Sequence, residues 1–316
     1  MSLLVRGLKS IPPEVCGGAI AIGNFDGIHI GHRQLANLLK GQSDSVGGPS
    51  VVLTFEPPPM KLLRPELLPP ALTWMERRAE ILFGLGIDAV IVMETSHDLL
   101  ELSANCFYEQ ILVKQLMVKG IVEGPNFHFG KDRLGDIELL DSLCQQYGVQ
   151  LTIADGQSES GHWVSSSRIR NLLGQGEIRE ANHLLVEPYR LRGCVSHGAA
   201  RGRTIGFPTA NLEGIDVLVP PHGVYAGRTE IDGKSYATAI HIGPNPTFGE
   251  NVKKIEVHLV EFSGDLYGFM MEVEVIDRIR GVQKFDGVEQ LKSQLKLDIQ
   301  LAQSLYRDYI VESSTR

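Results

Sequence analysis

Two histidines three residues apart, His29 and His32, close a segment that reads Gly-Asn-Phe-Asp-Gly-Ile-His-Ile-Gly-His over residues 23–32. An apolar run that reads as a buried strand precedes the segment, and a helix is predicted to begin within it. Glycines let a backbone approach a ligand closely, and the first N–H groups of a helix are free to bind an anion. Two imidazoles placed there could hydrogen-bond phosphate oxygens as charge builds on them. This suits nucleotidyl transfer, in which an acceptor attacks the α-phosphorus of ATP and pyrophosphate leaves.

The candidate residues of this first motif are the catalytic His29 and His32 and, for nucleotide binding, Gly23, Asn24, Phe25, Asp26, Gly27 and Gly31. The alternative is a pair of surface histidines at an ordinary strand-to-helix turn. We favour the functional interpretation, because the motif lies between a predicted strand and a predicted helix, where this chemistry requires it.

A second segment, Val-Ser-Ser-Ser-Arg-Ile-Arg over residues 164–170, follows the fifth predicted strand and opens a helix. Hydroxyl groups and free N–H groups at a helix start bind phosphate, and arginines offset the charge of a leaving pyrophosphate. We take Ser166, Ser167, Arg168 and Arg170 as candidates. The alternative is a serine N-cap followed by exposed arginines.

Two further loops end predicted strands, at residues 54–59 and 124–130. Asn126 in the second loop could hydrogen-bond an adenine or a ribose, and the neighbouring phenylalanines could stack on a ring. A structural turn with core aromatic residues would give the same sequence pattern. Both interpretations, a ligand-binding loop and a structural turn, therefore stay open.

The second half of the chain carries a glycine-rich segment over residues 197–206. Gly198, Gly202 and Gly206 are spaced by four, and Arg203 lies among them. The segment lacks the GxxxxGK[ST] pattern, so it is not a P-loop, and a surface turn is the alternative. It is followed by Phe-Pro-Thr-Ala-Asn over residues 207–211.

Thr209 and Asn211 are two residues apart, so on an extended strand their side chains project from the same face. Their oxygen atoms suit Mg²⁺, which keeps several waters and bridges substrate phosphates. Glu256 lies in another strand-like run. If it faces the same cavity, it could accept a proton from an attacking hydroxyl. An exposed strand carboxylate is the alternative, and taken alone the more common case.

The elements that must position these residues alternate in the first half of the chain. Five short apolar runs read as buried strands, at residues 18–22, 51–55, 89–93, 120–122 and 150–153. Apolar residues spaced by three and four predict amphipathic helices between them. Strands alternating with helices predict right-handed crossovers and a parallel sheet that binds ligands beyond the carboxyl ends of its strands.

The pattern changes near Glu187 and Pro188. Strand-like runs joined by short turns follow, at residues 190–196, 223–231, 235–243, 254–262 and 269–279, before a helical pattern over 288–305. Consecutive strands with short turns predict an antiparallel barrel. We therefore predict an α/β domain over residues 1–187 and an all-β barrel with a terminal helix over 188–316.

Composition argues against several classes of protein. Hydrophobic residues make up 43% and charged residues 22% of the chain, a globular balance that is not typical of disorder or a fibre. No apolar run reaches the ~18 residues that span a bilayer, and the first residues are not typical of a signal peptide. Four scattered cysteines indicate neither a disulfide framework nor a zinc site and fit a reducing cytoplasm. With a formal charge of −8, we expect no nucleic-acid and no membrane partner.

Taken together, the motifs resemble those of the bacterial bifunctional riboflavin kinase/FAD synthetase family. The resemblance covers nearly the whole chain and rests on the number and order of matching segments, at residues 23–32, 54–57, 129–136, 165–170, 206–211, 221–225, 242–248, 256–258, 264–268 and 285–286. It implies a Rossmann-like nucleotidyltransferase (FMN adenylyltransferase) domain followed by a riboflavin kinase β-barrel.

Two activities are implied by this resemblance. The barrel would phosphorylate riboflavin at its 5′-hydroxyl with ATP, giving FMN and ADP. The first domain would adenylylate FMN with a second ATP, giving FAD and pyrophosphate. Mg²⁺ is implied in both reactions, ATP is a co-substrate, and no tightly bound organic cofactor is required. The sequence leaves the oligomeric state open.

The family's residue roles carry over by position. His29 and His32 match the nucleotidyltransferase signature, Ser166, Ser167 and Arg170 match phosphate-binding positions, and Asn126 matches a nucleotide contact. Thr209 and Asn211 match the metal and phosphate ligands of the kinase, and Glu256 its catalytic base. In the glycine-rich stretch, the nucleotide-binding candidates are Gly198, Gly202, Arg203, Gly206 and Pro208.

Two positions depart from the family pattern. Pro58 stands where family members commonly carry His, so we do not expect the ligand contact of that His here. Ser167 replaces the more usual Thr but keeps the hydroxyl.

Three other functions compete with this reading. Class I aminoacyl-tRNA synthetases share the letters His-Ile-Gly-His of residues 29–32, but the Lys-rich second signature is absent. A nucleotidyltransferase with a single activity would use the barrel only for binding. A flavin-sensing regulator would need a flavin pocket, but not His29, His32 and Glu256 together.

Overall fold

The computed structural model describes residues 2–9, 11–159, 161–198, 202, 205–245, 247 and 253–314. The chain divides into two compact units. Unit 1 comprises Met1–Pro69 and Trp74–Ser165, and unit 2 comprises Pro70–Thr73 and Ser166–Arg316. The predicted boundary at residues 187 and 188 lies inside unit 2, because two helices that precede it group with the barrel.

Unit 1 is built on a six-stranded parallel sheet. Its strands are β1 (Leu3–Arg6), β2 (Ala19–Ile22), β3 (Ser50–Glu56), β4 (Ala89–Glu94), β5 (Gly120–Glu123) and β6 (Gln150–Ile153), in the order β1-β4-β3-β2-β5-β6. The predicted parallel sheet is confirmed. The prediction missed β1, a four-residue edge strand with a single buried residue, Val5. It also placed β6 in the interior, whereas β6 is an edge strand whose residues are half-buried or exposed.

Helices cover both faces of this sheet. They are α1 (Ile30–Val46), α2 (Met60–Leu63), α3 (Met75–Gly84), α4 (His97–Leu100), α5 (Ala104–Phe107), which continues into a π-helical segment (Tyr108–Gln115), and α6 (Ile137–Tyr147). A two-stranded hairpin, β7 (Ser158–Glu159) with β8 (His162–Trp163), follows the sheet. The apolar core lies between the central strands and the helices, where Leu53, Ile91, Leu112 and Ile121 are almost fully buried.

The direction of strand order reverses at β2. From β2 the chain adds β3 and β4 on one side, and it adds β5 and β6 on the other. In a parallel sheet this reversal opens a crevice beyond the carboxyl ends of the two strands that flank it. The first histidine motif begins directly after β2, and so it starts at this crevice.

Unit 2 begins with two helices, α7 (Ser166–Gln175) and α8 (Ile178–Leu184). A closed antiparallel barrel follows, formed by β9 (Arg190–Ser196), β10 (Ala210–Glu213), β11 (Gly223–Ile231), β12 (Lys234–Gly243), β13 (Lys254–Leu259) and β14 (Met270–Arg280), and a long helix, α9 (Val288–Ser314), ends the unit. The predicted barrel and terminal helix are confirmed. Helix α8 packs against β14, and α9 packs against β11, β12 and β14.

Residues alternate along the barrel strands between its interior and its outer face. On β13, Ile255, Val257 and Leu259 are buried, whereas the intervening Glu256 and His258 are only half-buried. Since side chains point to opposite faces in turn, Glu256 and His258 lie on the outer face. Within the described part of the chain, no helix is long and apolar enough to cross a membrane.

Candidate active sites

His29 and His32 form a reciprocal cap at the start of α1. Nδ1 of His29 accepts the backbone N–H of His32 at 3.2 Å, and Nδ1 of His32 accepts the backbone N–H of His29 at 3.3 Å. The two rings stack with their centroids 3.7 Å apart. Histidine thus takes the place that Ser or Asp occupies in an ordinary capping box.

The cap determines which ring nitrogen carries the proton. A backbone N–H only donates, so each Nδ1 must be unprotonated, and each neutral ring carries its proton on Nε2. Burial lowers the pKa of His29 to about 4 and the pKa of His32 well below its usual value, with His29 and Arg78 lowering the latter further. Near pH 7 the pair therefore offers two uncharged Nε2–H donors, the form that can bind phosphate oxygens.

Arg78 of α3 forms hydrogen bonds to the loop between β2 and α1. Its guanidinium donates to the carbonyl oxygen of Asn24 at 2.7 Å and to Oδ1 of Asp26 at 3.2 Å. Arg78 and Asp26 are both largely buried. Removing one partner would leave the other charge buried without compensation, so this pair fixes the loop strongly.

Two glycines of the first motif are required for steric reasons, Gly27 in the loop and Gly31 in the first turn of α1. Gly27 has φ +75°, a left-handed conformation that side chains rarely adopt. A Cβ at Gly31 would lie 3.2 Å from the ring of His29. Gly31 therefore leaves room for the capping ring of His29. Phe25 also has a positive φ, 47°, and its ring lies 5.0 Å from that of His32.

The loop after β5 carries Asn126, which is exposed. The backbone N–H of Phe127 donates to the carbonyl of Gly124 at 3.1 Å, so Asn126 lies in a tight turn. Phe127 and Phe129 stack 5.5 Å apart and pack against the core. These rings are structural, whereas Asn126 and His128 are exposed polar side chains of this loop.

The serine–arginine segment opens α7 in unit 2. Ser166 is the first helical residue, and Ser166, Arg168 and Arg170 are half-buried while Ser167 is exposed. Nε of Arg170 donates to the carbonyl of Pro70 at 2.8 Å. Ile169 and Leu173 anchor the helix in the core. The predicted helix start is thus present, with its hydroxyl groups in the first turn.

One row of neighbouring residues crosses all six strands of the barrel and includes two of the kinase candidates, Asn211 and Glu256. Strand pairing sets the members of this row directly opposite one another: Ser196, Asn211, Glu256, His241, Val224 and Arg280. Glu256 of β13 therefore lies between Asn211 on one side and His241 on the other. Directly opposite side chains of an antiparallel pair are close neighbours on one face.

Glu256 is oriented by an amide. Nδ2 of Asn245 donates to its Oε2 at 3.0 Å. Across the row, His241 lies close to Pro244, with Nε2 3.2 Å from that carbonyl oxygen, and burial lowers the pKa of His241. A carbonyl oxygen only accepts, so His241 holds its proton on Nε2. The Glu256 carboxylate thus has one fixed hydrogen-bond donor and a neutral imidazole beside it.

The segment before β10 is tied to the same face. Nδ1 of His258 lies 2.8 Å from the carbonyl oxygen of Pro208 and donates to it, and its ring meets Phe207 edge-on. His258 is two residues beyond Glu256, so both side chains leave β13 on the same face. The contact places Thr209 at the entrance to β10, next to Asn211.

Glycines let the preceding loop approach these ligand candidates. A Cβ at Gly198 would lie 2.2 Å from Nδ2 of Asn211, and one at Gly202 would lie 2.2 Å from the carbonyl oxygen of Phe207. Gly206 has φ +91°. The close contacts of Gly198 and Gly202 leave no space for a side chain at either position. Arg203 lies outside the described residues.

A cavity of about 140 Å³ opens on this face of the barrel. Thr209, Asn211 and Glu256 line it together, and α9 closes it with Leu291, Leu295 and Ile299. A second cavity of about 530 Å³ lies on the other side of Asn211, lined by Ser196, Gly198 and Lys253. Asn211 and Lys254 line both cavities. Gly202 also lines the first cavity, so the glycine-rich segment borders both openings, one at Gly198 and the other at Gly202.

Arg280 and Asp298 form the floor of the first cavity. Nε of Arg280 donates to Oδ1 of Asp298 at 2.9 Å, and the terminal nitrogen Nη2 donates to Oδ2 at 2.7 Å. Gln294 also donates to Asp298, which is 2% exposed. This bidentate pair joins the end of β14 to α9 and so holds the helix over the cavity.

Sequence reasoning missed Arg78, His241, Asn245, Arg280 and Asp298. Asn245 lies within a matched segment, 242–248, and a closer reading of that segment would have found it. Arg78 sits in a run of charged residues that looks like an ordinary helix face. Arg280 and Asp298 are 18 residues apart, and only the packing of α9 on the barrel brings them together.

The donor set on the kinase face fits a magnesium ion. Among the described residues there is no group of three or more His, Cys, Asp or Glu side chains that could hold a metal. Mg²⁺ does not need such a cage, because it is commonly bound by few protein oxygens together with water and phosphate. Thr209 and Asn211 offer oxygen atoms at the border of a cavity.

Comparison with known proteins supports both halves of this description. A family described as FAD synthetase matches residues 12–168, and a family described as riboflavin kinase matches residues 185–306. Proteins named bifunctional riboflavin kinase/FMN adenylyltransferase are 37% identical in Pseudomonas fluorescens, 35% in Escherichia coli K12 and 36% in Bacillus subtilis 168. These matches cover 96%, 93% and 92% of this chain and 97%, 95% and 93% of the relatives.

A solved structure shares the fold over nearly the whole chain. It is titled a macrolide-efflux protein from Streptococcus pneumoniae, is 31% identical, and superposes with a TM-score of 0.83 over 95% of this chain and 99% of its own. That name describes the other protein.

Proposed function

The chain belongs to the bifunctional riboflavin kinase/FMN adenylyltransferase family, and from this we propose that it makes FAD from riboflavin in two ATP-dependent steps at two separate sites. The barrel phosphorylates riboflavin to FMN, and the parallel-sheet unit adenylylates FMN to FAD. The observation that carries the proposal is the pairing of Glu256 directly opposite Asn211 in a cavity that Thr209 also lines.

In the kinase step, Glu256 is the general base. It takes the proton from the 5′-hydroxyl of riboflavin as that oxygen attacks the γ-phosphorus of ATP. A bond forms between the 5′-oxygen and the γ-phosphorus, the bond from that phosphorus to the bridging oxygen breaks, and ADP leaves. Asn245 holds the carboxylate in place through its hydrogen bond to Oε2.

We propose that Thr209 and Asn211 hold Mg²⁺ in this step, with the glycines at 198, 202 and 206 and Pro208 shaping the approach of the phosphates. When bound, the ion neutralises charge on the phosphate oxygens. The cavity that Thr209 and Asn211 line and their oxygen donors support this assignment. Mg²⁺ is proposed for the adenylylation step as well.

In the adenylylation step, a phosphate oxygen of FMN attacks the α-phosphorus of the second ATP, and pyrophosphate leaves. The second pKa of a phosphate monoester is about 6, so FMN is already ionised near pH 7 and needs no general base. The Nε2–H groups of His29 and His32 donate to phosphate oxygens as their charge grows. Asn126, Ser166, Ser167, Arg168 and Arg170 remain proposed nucleotide and phosphate contacts.

We keep residues 1–187 and 188–316 as the proposed division between the two activities. The family matches, which end at residue 168 and resume at residue 185, support it. A reducing, cytoplasmic location also remains a proposal, supported by four cysteines that are all free.

Incubation of the full chain with riboflavin, ATP and Mg²⁺, followed by chromatography of the products, tests the proposal. We expect FMN to appear first and FAD to follow. A parallel reaction that starts from FMN tests the second step alone. Formation of neither product would overturn the proposal, and FMN without FAD in both reactions would leave only the kinase activity.

A further inference from the structure

Glu123, the last residue of β5, is a carboxylate where the sheet interior would call for an apolar side chain. It is 3% exposed, and the residues before it, Ile121 and Val122, are fully buried. Glutamate is almost never fully buried unless a partner compensates it. Its partners are main-chain groups: Oε1 of Glu123 accepts the backbone N–H of Ile22 at 2.6 Å, and the carboxyl group also accepts the backbone N–H of Gly124.

This hydrogen bond spans the place where two neighbouring strands part. Strands β2 and β5 are paired only at Ala19 with Gly120 and at Ile20 with Ile121. Beyond that point β5 stays with its other neighbour, pairing Glu123 with Ile153, and the carbonyl of Glu123 accepts the N–H of Ala154 at 2.8 Å. On the opposite side, β2 stays paired with β3 as far as Ile22 and Leu53.

The parting leaves one backbone donor without a strand partner. Gly23 donates to the carbonyl of Leu53 at 3.0 Å, so the ladder towards β3 continues. In a continuing ladder the N–H of Ile22 would donate to the backbone of β5. The two strands have separated at this point, so the Glu123 side chain accepts that N–H instead. A buried N–H without an acceptor destabilises the fold, so the carboxyl group makes the parting possible.

The parting is the crevice at which strand order reverses. Ile22 immediately precedes the segment 23–32 that carries His29 and His32, and Glu123 immediately precedes the loop that carries Asn126. One side chain therefore joins the two strand ends from which the histidine motif and the Asn126 loop start. Burial raises the pKa of Glu123 well above its usual value, which fits a group whose surroundings are protein rather than water.

We propose that Glu123 is a positioning residue of the adenylyltransferase site: it accepts the Ile22 N–H and thereby fixes the open crevice between β2 and β5 that receives ATP. This inference rests on the proposed function of unit 1. Glu123 acts through the backbone of the two loops. The property that matters is a hydrogen-bond acceptor at this position.

The test compares variants of Glu123 in the full chain, with the kinase reaction of the same molecule as an internal measure of folding. Glu123→Gln keeps an acceptor oxygen, whereas Glu123→Met keeps similar volume without one. We expect Glu123→Met to lower kcat/KM for FMN adenylylation about 10- to 100-fold, the loss expected from an unsatisfied buried donor. We expect Glu123→Gln to stay within about threefold of wild type, and riboflavin phosphorylation to be unchanged in both.

Glu94→Met is the matched control, because Glu94 ends β4 in the same sheet but is exposed. It should leave both reactions unchanged. Hydrogen exchange at the Ile22 amide gives a readout apart from activity: the amide should exchange slowly in wild type and in Glu123→Gln and faster in Glu123→Met. If Glu123→Met does not fold, Glu123→Gln still tests the acceptor through its rate and its amide protection.

Three outcomes would overturn the inference: unchanged adenylylation in Glu123→Met, a Gln variant as impaired as the Met variant, or equal losses in both reactions. Failure of the wild-type chain to adenylylate FMN would instead overturn the proposed function. The two failures are therefore distinguishable.

Discussion

The Nδ1 atoms of His29 and His32 each accept the other's backbone N–H, and this single arrangement both caps α1 and fixes the protons of the two rings on Nε2. The helix start and the proposed phosphate donors are thus the same side chains. Replacing either histidine should affect FAD formation by removing a donor that acts as phosphate charge develops.

His32→Ala should stop FAD formation while FMN still accumulates from riboflavin. Loss of one donor to a developing phosphate charge typically costs about 10²–10³-fold in rate. The measurement is chromatography of FMN and FAD over time. His97→Ala, at an exposed position of α4, is the control and should form both products. Equal loss of FMN and FAD in a folded His32→Ala protein would contradict two independent sites.

Glu256→Gln should impair the kinase reaction and leave the adenylylation reaction intact, the reverse of His32→Ala. The amide cannot take the proton of the 5′-hydroxyl, so riboflavin phosphorylation should fall about 10²–10⁴-fold. Conversion of supplied FMN to FAD should continue at the wild-type rate. Glu230→Gln, at an exposed position on β11, is the matched control. A kinase rate within a few-fold of wild type would show that Glu256 is not the base.

The pKa of His29 predicts how stability depends on pH. Burial lowers this pKa from 6.5 to about 4, so between those values the unfolded chain binds a proton that the folded chain does not. Stability contributed by the neutral ring is therefore present above pH 6.5 and lost as pH falls towards 4, by up to ~3 kcal/mol.

Urea unfolding at several pH values measures this loss. His29→Asn keeps a residue suited to an N-cap and removes the titrating ring, so the decline in the free energy of unfolding below pH 6.5 should become shallower. An unchanged slope in this variant would assign the pH dependence to other groups.

Gly198→Ala should impair the kinase alone. The added Cβ would lie 2.2 Å from the Asn211 amide and displace it from its position beside Glu256. We expect the KM for ATP in riboflavin phosphorylation to rise about tenfold or more, since ~1.4 kcal/mol of lost binding has that effect. Gly174→Ala in α7 meets open space and is the control. Equal kinetics in both variants would remove Asn211 from the ATP site.

Asp298→Ala should destabilise unit 2. It leaves the Arg280 guanidinium, which is 16% exposed, without its bidentate partner, and breaking such a pair typically costs about 3–5 kcal/mol. Arg179→Ala breaks a pair with Asp277 in which the arginine is 60% exposed, and it should cost less than ~1 kcal/mol. Denaturant unfolding followed through loss of kinase activity compares them, and similar losses would contradict the structural role of Asp298.

Sequence patterns predicted the parts of the fold that depend on local periodicity. The runs at 190–196 and 223–231 coincide with β9 and β11, because their alternation and flanking turns are local signals. Strand β1 was missed, since four half-buried edge residues carry little pattern. The apolar run that forms β6 was placed in the interior, because its edge position depends on the order of the strands in the sheet. Strand order is not a local property of the sequence.

The candidate sites divide in the same way. His29 and His32 were found because their contact spans three residues at a helix start, a spacing that the sequence displays. Arg78 and Glu123 were not found, because each acts on a segment more than fifty residues away and each resembles an ordinary charged residue. Long-range pairings of this kind become visible only when the strands and helices are assembled.

The outward direction of Glu256, with Ile255 and Val257 on either side turned inward, has a consequence for how such a chain can change. Neighbouring positions on one strand have different roles: the inward side chains stabilise the folded state, and the outward side chains take part in the reaction. Substitutions that repack the barrel interior can therefore accumulate without contacting the reactive groups. Substitutions on the outer face can change which substrate is bound while the interior keeps the barrel folded.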